Sequence, residues 1–186
     1  LSKDTVVIIA AVIAILLFSF QSKGTEKVAS VFGPITTLWF ISLVTAGVAA
    51  ISSAPEVLVS VNPLYGIEFL LNNGFMGFLV LGEIILCATG GEAMYADMGH
   101  LGSKPIRQAW GGVFIALAIN YLGQGAFLLK YPETKNVLFS MVFHYANALY
   151  VPFLLLSISA TIIASQAIIS GMFSVVYQGI NTRVMP

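Results

Sequence analysis

The sequence predicts an all-α membrane protein with five transmembrane helices. Three observations carry this reading. Of 186 residues, 58% are hydrophobic and 9% are charged, against roughly 25% charged in soluble domains. Mean hydropathy is +0.94, more apolar than a soluble core of this size requires. The apolar residues gather into five runs separated by short polar stretches, each long enough or nearly so to cross a bilayer. Net charge is zero, so no basic balance points to nucleic acid. The single cysteine, Cys87, lies in an apolar run, which rules out a disulfide framework within one chain.

The first run covers about residues 5–21 and carries no charge. It is short for a span and lacks a small-residue cleavage site after it, so it reads as a helix and not as a signal peptide. Residue 1 is Leu, and the expectation is a portion of a longer chain. The polar stretch 22–27 follows as a turn. The second run covers about 32–51, with Pro34 placed in its first turn, where proline is tolerated. Trp39 suits either an interfacial or a bundle-facing position.

Residues 52–74 break the pattern. They hold Pro55, Pro63, Glu56 and Glu68, with no Lys or Arg. Asn62-Pro63 and Asn72-Asn73-Gly74 are turn signals. The segment reads as a structured external loop, with a short surface helix at 64–71. The third run covers about 75–98, and the fourth about 106–129 after the turn 100–105. Residues 130–135 form a second polar loop, and 138–148 a partial helix. The fifth run covers about 149–180, with Pro152 near its start and many small hydroxyl residues, which let membrane helices approach closely.

Lys and Arg set the orientation. Lys23, Lys27, Lys104, Arg107 and Arg183 fall on one side, and Lys3, Lys130 and Lys135 on the other. The loop 52–74, without either residue type, strengthens the asymmetry. The expected topology is multi-pass in the cell membrane, N-terminus outside and C-terminus cytoplasmic.

The third run holds the candidate site, Cys87-Ala88-Thr89-Gly90-Gly91-Glu92-Ala93-Met94-Tyr95. Paired glycines weaken a helix, by about 1 kcal/mol each relative to alanine. In hydrocarbon, a helix break is tolerated only where protein or a water-filled cavity covers the freed backbone groups. An acid beside such a break is a functional-site hypothesis. Enzyme chemistry is not expected: there is no Gly-x-Ser-x-Gly and no His-Glu-x-x-His, and the two histidines, His100 and His144, lie far apart. A transporter, a channel and a structural subunit stay open on these residues alone.

Thr89-Gly90-Gly91-Glu92-Ala93-Met94-Tyr95-Ala96-Asp97-Met98-Gly99-His100 with Pro105-Ile106-Arg107 resembles the signature of the Kup (KUP/HAK/KT) potassium uptake permeases. Asn120-Tyr121-Leu122-Gly123-Gln124-Gly125-Ala126, 163–171, and Gly33-Pro34-Ile35 with Trp39-Phe40 fit the same pattern. The resemblance implies a LeuT-like inverted-repeat core of the APC superfamily, of which this chain holds helices four to eight. It implies potassium uptake, in proton-coupled members as potassium/proton symport, with potassium and protons as transported species and no cofactor. It also implies that the remaining helices of the full-length transporter complete the ion site. The lipid bilayer is a partner, and a second copy of the chain is a further candidate.

By that resemblance Thr89 matches the threonine that is an ion ligand, with the Gly90 backbone beside it, and Glu92 matches the proton-coupling glutamate. The alternatives are a Thr89 hydroxyl bonded back to its own helix and a structural Glu92 paired with a base. Glu83 stands where the family has an apolar residue. It lies on nearly the same helical face as Gly90, as a vestibule acid or a bundle-paired one. Tyr95 and Asp97 are candidate gate residues, Asp97 with His100, Lys104 or Arg107. Asn120 and Gln124 share a helix face and are expected to bond across to a neighbouring helix, as are Ser165 and Gln166. His144 is expected to be solvated in an external loop.

Overall fold

The computed structural model describes residues 25–87 and 102–183, and every regular element among them is helical. In chain order these are α1 (Thr25–Ser53), a 3-10 helix (Pro55–Val61), α2 (Pro63–Cys87), α3 (Ser103–Lys130), α4 (Val137–Tyr145), a 3-10 turn (Asn147–Leu149) and α5 (Tyr150–Asn181). Among the described residues, four segments are long and apolar enough to cross a membrane: Phe32–Ser53, Pro63–Ile85, Ser103–Lys130 and Asn147–Asn181. The first sequence run, 5–21, lies outside the described residues, as does the third run beyond Cys87.

The second, fourth and fifth runs appear as α1, α3 and α5, each reaching past the apolar stretch that announced it. Hydropathy marks where side chains become polar, not where the backbone ladder ends. Thr25-Glu26-Lys27, expected to be a turn, is the first turn of α1. Pro34 therefore lies inside α1 and not at its start. There it withholds the N–H that the carbonyl of Ser30 would otherwise accept. Just beyond it, the hydroxyl of Thr36 donates to the carbonyl of Phe32 (2.9 Å) and that of Thr37 to Gly33 (2.8 Å).

The stretch 52–74, expected to be a loop, is mostly helical. Pro55 opens the 3-10 helix, where its missing N–H costs nothing. Asn62 then starts α2: its side-chain oxygen accepts from the backbone N–H of Leu64 (3.1 Å), with Pro63 as the first helical residue. The turn expected at Asn72-Asn73-Gly74 is present. Gly74 has φ 48° and ψ −122°, the first central position of a type II′ turn. It bends α2 so sharply that a Cβ on Gly77 would touch the Leu70 backbone, 3.3 Å from its Cα. α2 is thus two arms, 63–73 and 75–87, and not one straight span.

Residues 42–150 form one compact unit. Its core is made of small side chains with a few large ones: Ala50, Ala54, Val57, Ala126, Phe127 and Met141. Tyr145, Val137 and Leu138 of α4 pack against it. The buried positions of α3 are Ala116, Asn120, Gly123, Ala126 and Phe127, three or four residues apart, one stripe of a helix. His144 is on α4 and not in a loop; it is exposed, with the Tyr131 hydroxyl 3.3 Å from its Nε2.

The described residues 25–41 and 151–183 belong to a second unit. There Trp39 is half-buried and stacks on Phe153, ring centroids 5.1 Å apart, which fixes it as bundle-facing. The hydroxyls of Ser159, Thr161 and Ser165 donate back to carbonyls of their own helix, at 2.8–2.9 Å. Ser165 thus makes its bond within α5 and not across to a neighbour.

Candidate functional site

Thr89, Gly90, Gly91, Glu92, Tyr95, Asp97 and His100 all lie outside the described residues. The structure gives the elements on either side: the second arm of α2 leads into the segment, and α3 takes the chain up after it. Gly102, with φ 81°, is the entry to α3, a left-handed backbone that a Cβ would strain. Pro105 follows in the first turn, where no helical N–H is missed. Glu83 is the one candidate site residue that is described. It sits on the second arm of α2 and is exposed, beside Ile84 and Ile85, themselves 56% and 59% exposed. A carboxylate on such an apolar arm requires an aqueous path or a partner.

Two features escaped the sequence reading. One is a contact of backbones where α1 crosses α3. A Cβ on Gly47 would fall 2.6 Å from the Ile119 carbonyl oxygen, and one on Gly123 would land on the Gly47 backbone. The signal was present as small residues at helical spacing, but nothing in the sequence said which two runs meet. The other is an aromatic cluster at the far end of α3. His144 lies 4.9 Å from the Tyr145 ring, 5.1 Å from Tyr131 and 6.0 Å from Phe127, and the Tyr145 hydroxyl bonds to Ser53. Its trace in the sequence is the aromatics flanking the polar loop 130–135.

Asn120 departs from expectation. It is buried, 4% exposed, and among the described residues its side-chain oxygen has no hydrogen-bond partner. On α1 it lies opposite Gly47, its Cα 3.1 Å from where a Gly47 Cβ would stand. The Gln166 side-chain oxygen is likewise buried without a partner.

Long apolar helices bent by glycine, packed through small residues and leaving large aliphatic side chains exposed, define a multi-pass membrane protein. Residues 1–186 match throughout the family described as the K+ potassium transporter integral membrane domain. The chain belongs to that family. It is 61% identical over its full length to a probable potassium transport system protein Kup of Methanosarcina acetivorans, and 62% to that of Methanosarcina barkeri. A Kup 2 protein of Geobacter sulfurreducens is 61% identical over the same 186 residues. The chain spans 31% of the length of each of these relatives. No solved structure matches it.

Proposed function

We propose that this chain is part of a transporter that takes up potassium across the cell membrane, by potassium/proton symport. The observation that supports this most directly is the match of all 186 residues to the potassium transporter membrane domain. In this reading the chain supplies five helices of a LeuT-like core, with the third run broken at Gly90-Gly91. Thr89 offers a hydroxyl, and the unwound Gly90 backbone a carbonyl, to an ion that needs several oxygens in place of its hydration shell. Glu92 is the proton carrier. Burial in the closed site favours its neutral form, so Glu92 would cross carrying its proton beside the bound potassium and lose it where the site opens to cytoplasmic water. Glu83 draws cations toward the path, and Tyr95 and Asp97 gate it. Helices outside this chain complete the ion site.

The test is uptake by the full-length protein in cells lacking other potassium uptake, compared with Glu92→Gln. The variant should lose at least about ten-fold in uptake driven by an inward proton gradient, roughly the rate cost of 1.4 kcal/mol, while still binding potassium. Proton-coupled uptake at the wild-type rate would remove Glu92 from the mechanism. Absence of potassium uptake by the wild type would remove the function itself.

A further inference from the structure

The amide of Asn120 raises a question that the ion site does not answer. Its side-chain oxygen is sealed from solvent and unbonded, although an apolar side chain there would avoid burying an unsatisfied acceptor. It also sits beside the Gly47–Gly123 contact, with its own Cα 3.1 Å from where a Gly47 Cβ would stand. Ala116, Gly123 and Ala126 line the same stripe of α3. Around Gly123 such a surface carries no large knobs set into holes; the one large side chain of the stripe is Phe127, one turn further on. At Gly47 and Gly123 it is held by close backbone approach, a kind of surface at which weak Cα–H···O contacts recur. The same helix pair therefore combines a smooth contact with an acceptor that this arrangement leaves unsatisfied.

We infer that Asn120 is a positioning residue of the transport cycle. Its side-chain carbonyl goes without a donor in the arrangement seen here. It accepts a hydrogen bond, from water or from another helix, when α1 and α3 part at the Gly47–Gly123 contact. The amide thereby favours the parted state over the closed one. This rests on the transport function proposed above, and it concerns movement between states, not ion ligation.

The test uses the full-length transporter with Asn120→Ala, and Asn120→Ser as the variant that keeps a short acceptor. Asn120→Ala should melt no lower than wild type, because the side-chain oxygen makes no bond in the closed arrangement and its removal relieves a buried unsatisfied acceptor. Its maximal uptake rate should fall by about five-fold or more, the effect expected from losing one buried hydrogen bond on the way to the other state. Equilibrium potassium affinity should stay within about two-fold, since a factor of two is only about 0.4 kcal/mol. Asn120→Ser should recover part of the rate. A lower melting temperature for Asn120→Ala would show that the amide is bonded in the closed state and overturn the inference, as would a wild-type uptake rate. The two sources of donor separate with Asn120→Cys in a background without other reactive cysteines. Potassium-dependent modification by a small hydrophilic thiol reagent identifies water. Protection under all conditions, with the Ala phenotype intact, identifies a protein donor. If the wild type takes up no potassium, the transport reading fails separately, and the melting comparison still decides whether the amide is bonded.

Discussion

At the residue scale, the glycines of α3 differ in surroundings that the sequence does not distinguish. Gly123 faces backbone: a Cβ there would occupy the place of Gly47 atoms, whereas around Gly111 and Gly112 nothing lies within 4 Å. Backbone cannot turn aside as a side chain can, so the helices themselves must separate to admit even one methyl group. Gly123→Ala should therefore destabilise the protein by about 1–3 kcal/mol, the usual cost of overpacking. Gly111→Ala, in open space on the same helix, should be neutral or stabilise by up to about 1 kcal/mol through helix propensity. Thermal unfolding of the two variants in one detergent checks the contrast. Equal effects would mean that the crossing tolerates a side chain. Glu92 and Asn120 illustrate the same limit from the polar side. Residue type and neighbours nominated Glu92 for chemistry, but only packing distinguishes a bonded amide from the unbonded one at Asn120.

At the element scale, the bend of α2 is the feature most exposed to a single substitution. Gly74 holds φ 48° with ψ −122°, a region that a Cβ makes costly, by about 1–3 kcal/mol. No neighbour crowds the position, since nothing lies within 4 Å of a Cβ there. The expected penalty for Gly74→Ala is thus backbone strain alone. It should appear as lower thermal stability of about that size, with Gly66→Ala, in regular helix and open space, as the control. Elements were legible in the sequence where one physical signal decided them. Apolar runs announced α1, α3 and α5, and Asn72-Asn73-Gly74 announced the bend. What was not legible depended on competing signals. Pro55 and Pro63 suggested a loop but act as first residues of helices, because a helix start does not use the N–H that proline lacks. Pro34 suggested a helix start but lies within α1. The candidate site was nominated entirely by its residues, Thr89 to Asp97, and its geometry falls outside the described residues. The α1–α3 crossing was not nominated, because the partner of a small residue is set by tertiary packing and not by local period.

At the scale of the whole molecule, the distribution of Lys and Arg and the packing of residues 42–150 bear on one property, the orientation in the membrane. α3 has 28 residues, about 42 Å at 1.5 Å per residue, enough to cross a hydrocarbon core of about 30 Å and reach water at both ends. Lys104 and Arg107 lie at its start and Lys130 at its end. Around that end, Ser53 from α1, Phe127 and Tyr131 from α3, and Tyr145 from α4 come together. The loops after α1 and after α3 therefore share one end of this unit, and their only basic residues are Lys130 and Lys135. The opposite end of α3 has Lys104 and Arg107, with Asp97 the nearest acid in the sequence. Counted over the whole sequence, Lys and Arg fall five to three in favour of that end, which predicts it to be cytoplasmic. Single cysteines at positions 104 and 133, in a background without other reactive cysteines, give the check. A membrane-impermeant thiol reagent applied to intact cells should label position 133 and leave position 104 unlabelled until the membrane is opened. The reverse pattern would invert the topology, and labelling of both in intact cells would mean that α3 does not span. With position 133 outside, the aromatic cluster at His144 would face the outer solution and the start of α3 the cytoplasm.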